Sequence, residues 1–472
     1  MFIGRQKELA LLNEQYSRRG FDMTVVYGRR RIGKSTLLAE YIRDKNAIYY
    51  TATKIGHERN LQFLTDAVVS VLNPSLTGIR FPSLEGLLDF ISDNLPDGKL
   101  VLAIDEFPYW ATANHEILSV FQKYIDTKWL DADFQLILCG SSLSFMEEQV
   151  LSEKSPLFGR RSAQIKMDAF DYLEAAEFVP DYSYEEKAIC YGITGGVAKY
   201  LDLIDPTISL DDNIKKQFFE PGGYLYDETR NLLTQEFNDI TLVSNIIEQI
   251  AYGQNSLNVI SDKVHEKDSK VLYSINKLIS VGLVEKKHCI TEEKNRKKVQ
   301  YVLKDSMFKF WYAFIPAATS LIEIGRGGEY YDAVVKPQIH TYMGRIFEEM
   351  CRYFVLKKGS SDIFGSFITD TGSWWGTEIT KDVNGQINRQ PADIDVVGLS
   401  RPERTMVIGE CKFKNEPISK DVFDTLVRRG NAISGKYQIS KYLLFSLSGY
   451  SDWFDNMEDD RLITFVLEDL YS

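Results

Sequence analysis

The sequence predicts an α/β protein: a parallel sheet with a helical lid, then a winged-helix part, then a second α/β part at the C-terminal end. Three observations predict it. Short apolar runs alternate with amphipathic helical stretches over residues 1–205. One of those runs leads directly into Gly28-Arg29-Arg30-Arg31-Ile32-Gly33-Lys34-Ser35, which fits the pattern G-x-x-x-x-G-K-[ST]. A later group of runs, past residue 370, carries acids and a lysine at alternating positions.

The elements follow in order. Runs 23–27, 100–104 and 134–139 are short and apolar, and stretches such as 35–42 and 118–128 between them have helical spacing. That alternation predicts parallel strands flanked by helices. From Asp168 the pattern turns helical (171–178, 184–191, 196–203), which reads as the lid. Leu242, Val243, Ile246, Ile247 and Ile250 recur at helical spacing. Helical stretches 259–264 and 270–281 continue, and runs 284–287 and 297–303 read as two strands around a charged loop. Three helices and such a hairpin outline a winged helix. An aromatic helix (308–315), a Gly325-Arg326-Gly327-Gly328 joint and a helix at 335–357 come next. Strands near 372–378, 394–399 and 406–412, a helix at 420–432 and a strand at 442–446 complete the chain. The expected parts are therefore 1–205, 206–304 and 305–472, in keeping with roughly 100–200 residues per domain.

Composition narrows the class. The 472 residues hold 55 Lys+Arg and 67 Asp+Glu, a formal net charge of −12. Such an acid excess argues against a protein that coats nucleic acid over its whole surface, but leaves room for a local site. The 12% aromatic content excludes disorder as the main state. Cys139, Cys190, Cys289, Cys351 and Cys411 are scattered, odd in number and form no C-x-x-C pair, which predicts a reducing, cytoplasmic setting. No run approaches the ~20 apolar residues of a membrane span. The start, Met1-Phe2-Ile3-Gly4-Arg5-Gln6-Lys7-Glu8, has charges where a secretory leader needs an apolar core. No membrane partner is expected.

The first chemical signal is for a phosphate group. Gly28 and Gly33 let backbone N–H groups of Arg29, Arg30, Arg31 and Ile32 curl around phosphate oxygens, and the following helix adds a positive end at Thr36. Lys34 reaches the β- and γ-phosphates and Ser35 holds Mg2+. The strand 100–104 ends in Asp105-Glu106. Asp105 would hold Mg2+ through water, and Glu106 would polarise the attacking water. Gly140-Ser141-Ser142 ends a further strand, and a hydroxyl there, Ser141 first, could meet the γ-phosphate or that water. Arg160 and Arg161 follow a loop, where one could act as an arginine finger, on its own or a neighbour's nucleotide. A solvated basic turn is the plain alternative for that pair.

The second signal lies near the end. Glu348 and Glu349 sit in a helical run, Asp393 and Asp395 flank Ile394, and Glu410 and Lys412 flank Cys411. Alternate strand residues share a face, so Glu410 and Lys412 point the same way. Two acids and a lysine suit phosphodiester hydrolysis, with Asp395, Glu410 and Glu348 as Mg2+ ligands and Lys412 orienting water. A solvated strand is the plain alternative. On the hairpin and the helix before it, Lys270, Lys277, Lys286, Lys287, Lys294, Arg296, Lys297 and Lys298 could neutralise DNA phosphates, although Glu266, Asp268, Glu292 and Glu293 dilute them.

Two resemblances join these signals. Phe2 to Arg5, the Gly28–Ser35 loop, Ile104-Asp105-Glu106-Phe107, Gly140-Ser141-Ser142, Pro156 to Arg161 and Gly195 to Tyr200 together resemble the archaeal-type ATPase family, a branch of the AAA+/STAND-like P-loop proteins. The resemblance implies ATP hydrolysis, and places 2–5 near an adenine. Asp305 to Tyr312, Gly344 to Arg352, Trp374-Trp375-Gly376, Ile394-Asp395 and Glu410-Cys411-Lys412 resemble the domain of unknown function that usually follows this ATPase. That domain is similar to PD-(D/E)xK nucleases and implies a restriction-endonuclease-like fold, although the literal Pro-Asp pair is absent. The expected function is an ATPase coupled to nuclease-like action on DNA, in defence or genome maintenance, with a homo-oligomer implied if Arg160 or Arg161 works in trans. Alternatives are an ATP-driven switch whose C-terminal part only binds, or a winged-helix transcriptional regulator.

Overall fold

Strands buried on both faces need apolar side chains at every position, and β-branched residues fit them best. Asp22–Tyr27 (β1), Ala47–Thr51 (β2), Leu100–Asp105 (β3), Phe134–Gly140 (β4) and Ala163–Lys166 (β5) form one parallel sheet in the order β2-β3-β4-β1-β5. Strands β1, β3 and β4 are buried along their whole length. Because all five run the same way, the loops after β1, β3 and β4 emerge at one edge of the sheet. This computed structural model describes residues 2–292, 299–360, 362–381, 387–433, 435 and 437–472; the expected hairpin cations Lys294, Arg296, Lys297 and Lys298 lie outside the described residues. Residues Met1–Phe170 with Val197–Tyr200 make one compact unit, and Asp171–Gly196 with Leu201–Ser472 make another.

In the second unit, two helices begin as their sequences direct. Asp171 with Glu174, and Ser183 with Glu186, form reciprocal capping boxes ahead of Tyr172–Ala176 and Tyr184–Thr194. Helices Ile240–Ala251, Leu257–Val264 and Asp268–Ser280 precede an antiparallel hairpin, Val284–His288 (β6) and Val299–Leu303 (β7). Lys270 is ion-paired with Glu266 at 2.6 Å, and Lys277 lies over the Phe237 ring at 4.9 Å. Just past β6, Cys289 and Ile290 are buried in one core with Trp374 and Ile394. The Ile290 N–H donates to the Ser373 carbonyl at 3.2 Å.

The rest of this unit is a mixed sheet. Asp370–Lys381 (β8), Ile387–Ser400 (β9), Thr405–Lys412 (β10), Gln438–Ser446 (β11) and Leu462–Val466 (β12) lie in the order β12-β11-β10-β9-β8. The pairs β8/β9 and β9/β10 are antiparallel, whereas β10/β11 and β11/β12 are parallel. A parallel pair needs a crossover, which helix Lys420–Ile433 supplies between β10 and β11. Its Phe423 and Leu426 bury with Ile408 and Leu444. Phe445, one residue on, points to the other face, where Phe354 of helix Lys336–Lys357 packs at 6.2 Å between ring centroids. Among the described residues no helix is long and apolar enough to cross a membrane.

Candidate functional site

The loop after β1 is tight for steric reasons. A Cβ on Gly28 would stand 2.3 Å from the Met167 carbonyl oxygen, so only glycine fits. Gly33 takes φ +91° and caps helix Lys34–Ile42. Arg5 braces the loop from outside. Its buried guanidinium donates to the Ile32 carbonyl at 3.1 Å and the Asp168 carbonyl at 2.6 Å, and lies over Phe170 at 4.1 Å. Lys34 is buried, and its Nζ donates to the carbonyls of Gly28 at 2.9 Å and Arg29 at 2.8 Å. Burial pulls the Lys34 pKa down, partly countered by Cys139, Glu106 and Asp105. Arg30 hydrogen-bonds the Tyr109 hydroxyl, Ile32 is buried, and Thr36 is exposed on the first helical turn.

Two acids end β3 next to this loop. Ser35 Oγ donates to Asp105 Oδ2 at 2.6 Å, and Tyr49 donates to the same oxygen at 2.7 Å. The Glu106 N–H donates to Asp105 Oδ1 at 2.8 Å. Burial alone would raise the Asp105 pKa, but Ser35, the Cys139 thiol, Tyr49 and the Glu106 N–H together hold it below the ordinary value. Glu106 takes φ +50°, a strained conformation for a residue with a side chain. Ser141 Oγ donates to Glu106 Oε2 at 2.8 Å and fixes that carboxylate. Loop, acid pair and hydroxyl are thus joined through Ser35–Asp105 and Ser141–Glu106. Arg160 is held elsewhere: Asp126 grips it twice, at 2.7 and 2.6 Å. Arg161 is exposed and donates to the Leu151 carbonyl at 3.1 Å.

Sequence reasoning misses Tyr49, Cys139 and Arg5 as parts of this site. Tyr49 lies on β2, a strand with no clear apolar signal. The thiol of Cys139 is one of several small groups on a buried strand. Arg5 lies in the 2–5 segment, where nothing in the local spacing marks it as a brace.

In the second unit, Lys412 Nζ meets Glu410 Oε1 at 2.7 Å. Asp395 Oδ2 accepts the Cys411 N–H at 3.0 Å, which ties β9 to the same stretch of β10. Burial, with the negative charges of Glu410 and Glu348, raises the Asp395 pKa to about 8. Burial would lower the Lys412 pKa, but Glu410 and Asp395 hold it above the ordinary value. Glu348 is raised by burial, against the pull of Arg352 at 3.4 Å. Glu410 Oε2 is buried with no hydrogen-bond donor among the described residues, and Arg429 Nη1 stands 3.9 Å away. Asp393 is exposed and paired with Arg429 at 3.2 Å. A buried, donor-less carboxylate oxygen beside a second acid is a donor set a hard divalent cation suits. Among the described residues, no three Asp, Glu, His or Cys side chains already form a cluster that could hold an ion.

Residues 2–204 match the family described as an ATPase domain predominantly from Archaea. Residues 2–204 are thus an ATPase domain of this family. Residues 311–424 match a second family, described as archaeal and bacterial proteins of unknown function, and this stretch contains Glu348, Asp395, Glu410 and Lys412. An uncharacterized protein of Methanocaldococcus jannaschii is 28% identical over 472 residues, covering 99% of this chain and 100% of that protein. A second uncharacterized protein from the same organism is 44% identical over 73 residues, 14% of this chain and 71% of that protein. Among solved structures, the Walker-type ATPase of Pyrococcus abyssi aligns with a TM-score of 0.52 at 19% identity, covering 66% of this chain and 96% of that one. At that identity the likeness is one of fold. The Gly28–Ser35 loop, Asp105, Glu106 and Ser141 all lie within the stretch that matches the ATPase family.

Proposed function

We propose that this ATPase hydrolyses ATP in its first unit and couples that step to phosphodiester hydrolysis of DNA by the acids and lysine of its second. The observation that carries the first half is the chain of contacts Ser35–Asp105–Glu106–Ser141. Gly28, Arg29, Arg30, Arg31, Ile32, Gly33 and Thr36 would cradle the phosphates with backbone N–H groups. Lys34 Nζ would exchange its two carbonyl acceptors for phosphate oxygens. Ser35 and Asp105 would hold Mg2+ there, and Asp395 and Glu410 would hold it in the second unit, with Glu348 joining them on leaving its pairing with Arg352; bound Mg2+ would neutralise phosphate charge and lower the pKa of its water. Glu106, steadied by Ser141, would orient the attacking water and accept its proton. Arg161 would supply transition-state charge from a neighbouring copy, because Arg160 is already committed to Asp126.

For the second half, Lys412 supports the reading: its ammonium is held beside Glu410 and Asp395, where it would orient the water that attacks phosphorus. All five cysteines are free and buried, in keeping with a cytoplasmic setting. The test mixes the protein with plasmid and with short DNA and RNA strands in Mg2+, with and without ATP. Cleavage that disappears in Glu410→Gln and Lys412→Ala is expected. Absence of such cleavage on every substrate would sink the nuclease half.

A second reading treats the ATPase as a nucleotide-driven switch whose C-terminal part only binds. The direct Lys412–Glu410 ion pair favours it, since an ammonium already neutralises that carboxylate. Slow hydrolysis, retained ADP and no cleavage would decide for it.

A further inference from the structure

A cavity of about 460 Å3 lies wholly within the second unit and is bordered by Asp395. Helix Lys336–Lys357 contributes Arg345, Glu348, Glu349 and Arg352, whose spacing of three and four puts them on one helical face. Trp375 of β8 lines the same space and is half-buried. The volume falls within the ~300–1,000 Å3 of small-ligand sites.

The charges in this cavity are already sorted, with one exception. Glu349 is held by Lys309 at 3.1 Å and Lys287 at 3.5 Å. Arg352 meets Glu348 at 3.4 Å and donates to the Asp395 carbonyl at 2.6 Å. Arg345 is exposed and has no hydrogen-bond or ion-pair partner among the described residues. One guanidinium is therefore left for an outside anion, in a space that Trp375, Glu348 and Asp395 also line. A guanidinium matches a phosphate as a two-pronged donor, and an indole takes any base by stacking.

We propose that this cavity takes a single unpaired nucleotide of a nucleic-acid strand, with Arg345 on its phosphate and Trp375 against its base. The proposal rests on the reading of the second unit as one that acts on nucleic acid, and it narrows the substrate to single strands, strand ends and unpaired positions. Size argues for that narrowing. A space of 460 Å3 is about 8 Å on an edge, whereas the major groove of a duplex is by itself ~12 Å wide. A paired duplex does not enter, but one splayed nucleotide does.

The test measures binding by fluorescence anisotropy with the full chain in EDTA, so that cleavage plays no part. The probes are a labelled oligothymidylate, a blunt duplex of the same length and, as a competitor, thymidine monophosphate. The single strand should bind at least about tenfold more tightly than the duplex. Arg345→Ala and Trp375→Ala should each weaken it by roughly tenfold, with Trp375→Phe restoring most of the loss. Arg345 is exposed on a helix, so its variant keeps the test open if Trp375→Ala is unstable. Equal affinity for duplex and single strand, or no effect of Arg345→Ala, overturns the proposal. A mononucleotide that competes as well as the strand assigns the cavity to free nucleotides and also overturns it. Failure of the parent reading looks different: a strand held through Arg345 and Trp375 but never cut in Mg2+ leaves this assignment standing and removes the nuclease half. Cutting of paired DNA with no preference for single strands does the reverse.

Discussion

At Lys34 a buried ammonium rests on two carbonyl oxygens, neutral acceptors that offset only part of its lost hydration. A phosphate would serve it better, so Lys34→Ala should weaken ATP binding by about tenfold or more, read by calorimetry; an unchanged Kd would count against the site. Glu106 should separate binding from chemistry. Glu106→Gln keeps its size and its contact with Ser141, so ATP affinity should stay within about twofold while phosphate release falls roughly 100-fold. Glu349 tests the electrostatics of the second unit. Burial would raise its pKa, but Lys309, Lys287 and Arg352 bring it down to about 2, below the ordinary 4.5. A lowered folded-state pKa means its contribution is complete above pH 4.5 and fades as pH falls toward 2. Glu349→Gln should cost about 1–2 kcal/mol at neutral pH, with the gap closing in acid, as measured by denaturant unfolding across that range. Residues of this kind differ in how legible they are. Lys34, Ser35, Asp105 and Glu106 lie in short motifs whose spacing states their chemistry. Tyr49, Arg5 and Arg429 act across the sheet or from a distant helix, and no local spacing announces them.

The elements show the same division. Strands β1, β3 and β4 read clearly because burial on both faces writes a continuous apolar run. β5 is a partly exposed edge and β2 is fully buried only at Ile48 and Tyr50, so neither shows that run. β12 is likewise half-buried and pairs only with β11. The alternation that placed Glu410 and Lys412 on one face of β10 is borne by their ion pair, a relation of period two that survives any fold. The hairpin after the three helices was expected to offer its lysines to DNA, but Lys287 is engaged with Glu349 and Glu285. Cys289 and Ile290, just past that strand, are packed in the core with Trp374 and Ile394, which no periodicity reports. The loop after β1 makes a steric prediction at this scale. Gly28→Ala drives a Cβ against backbone that no rotamer change can relieve. It should lower stability by about 1–3 kcal/mol and impair ATP binding; a variant with wild-type Tm and affinity would show that the loop is looser than described.

At the scale of the whole molecule, the charge of −12 confines any nucleic-acid contact to local features such as Arg345, so binding should weaken with salt only as shallowly as a few phosphate contacts allow. The proposed role of Arg161 in trans makes ATP hydrolysis a property of assembly. Activity per chain should rise with protein concentration, and Arg161→Ala should lower kcat by about 1,000-fold with ATP binding retained. Concentration-independent turnover untouched by that variant would place no finger there. The two stretches that match families are legible because each keeps its own motifs, whereas coupling between them has no sequence signature. The most direct measurement is therefore strand cleavage in Mg2+ and ATP by the wild type and by Glu106→Gln. Coupling predicts Glu410-dependent cleavage that falls at least about tenfold when Glu106 cannot support hydrolysis. Equal cleavage by both proteins, or none by the wild type, would contradict it.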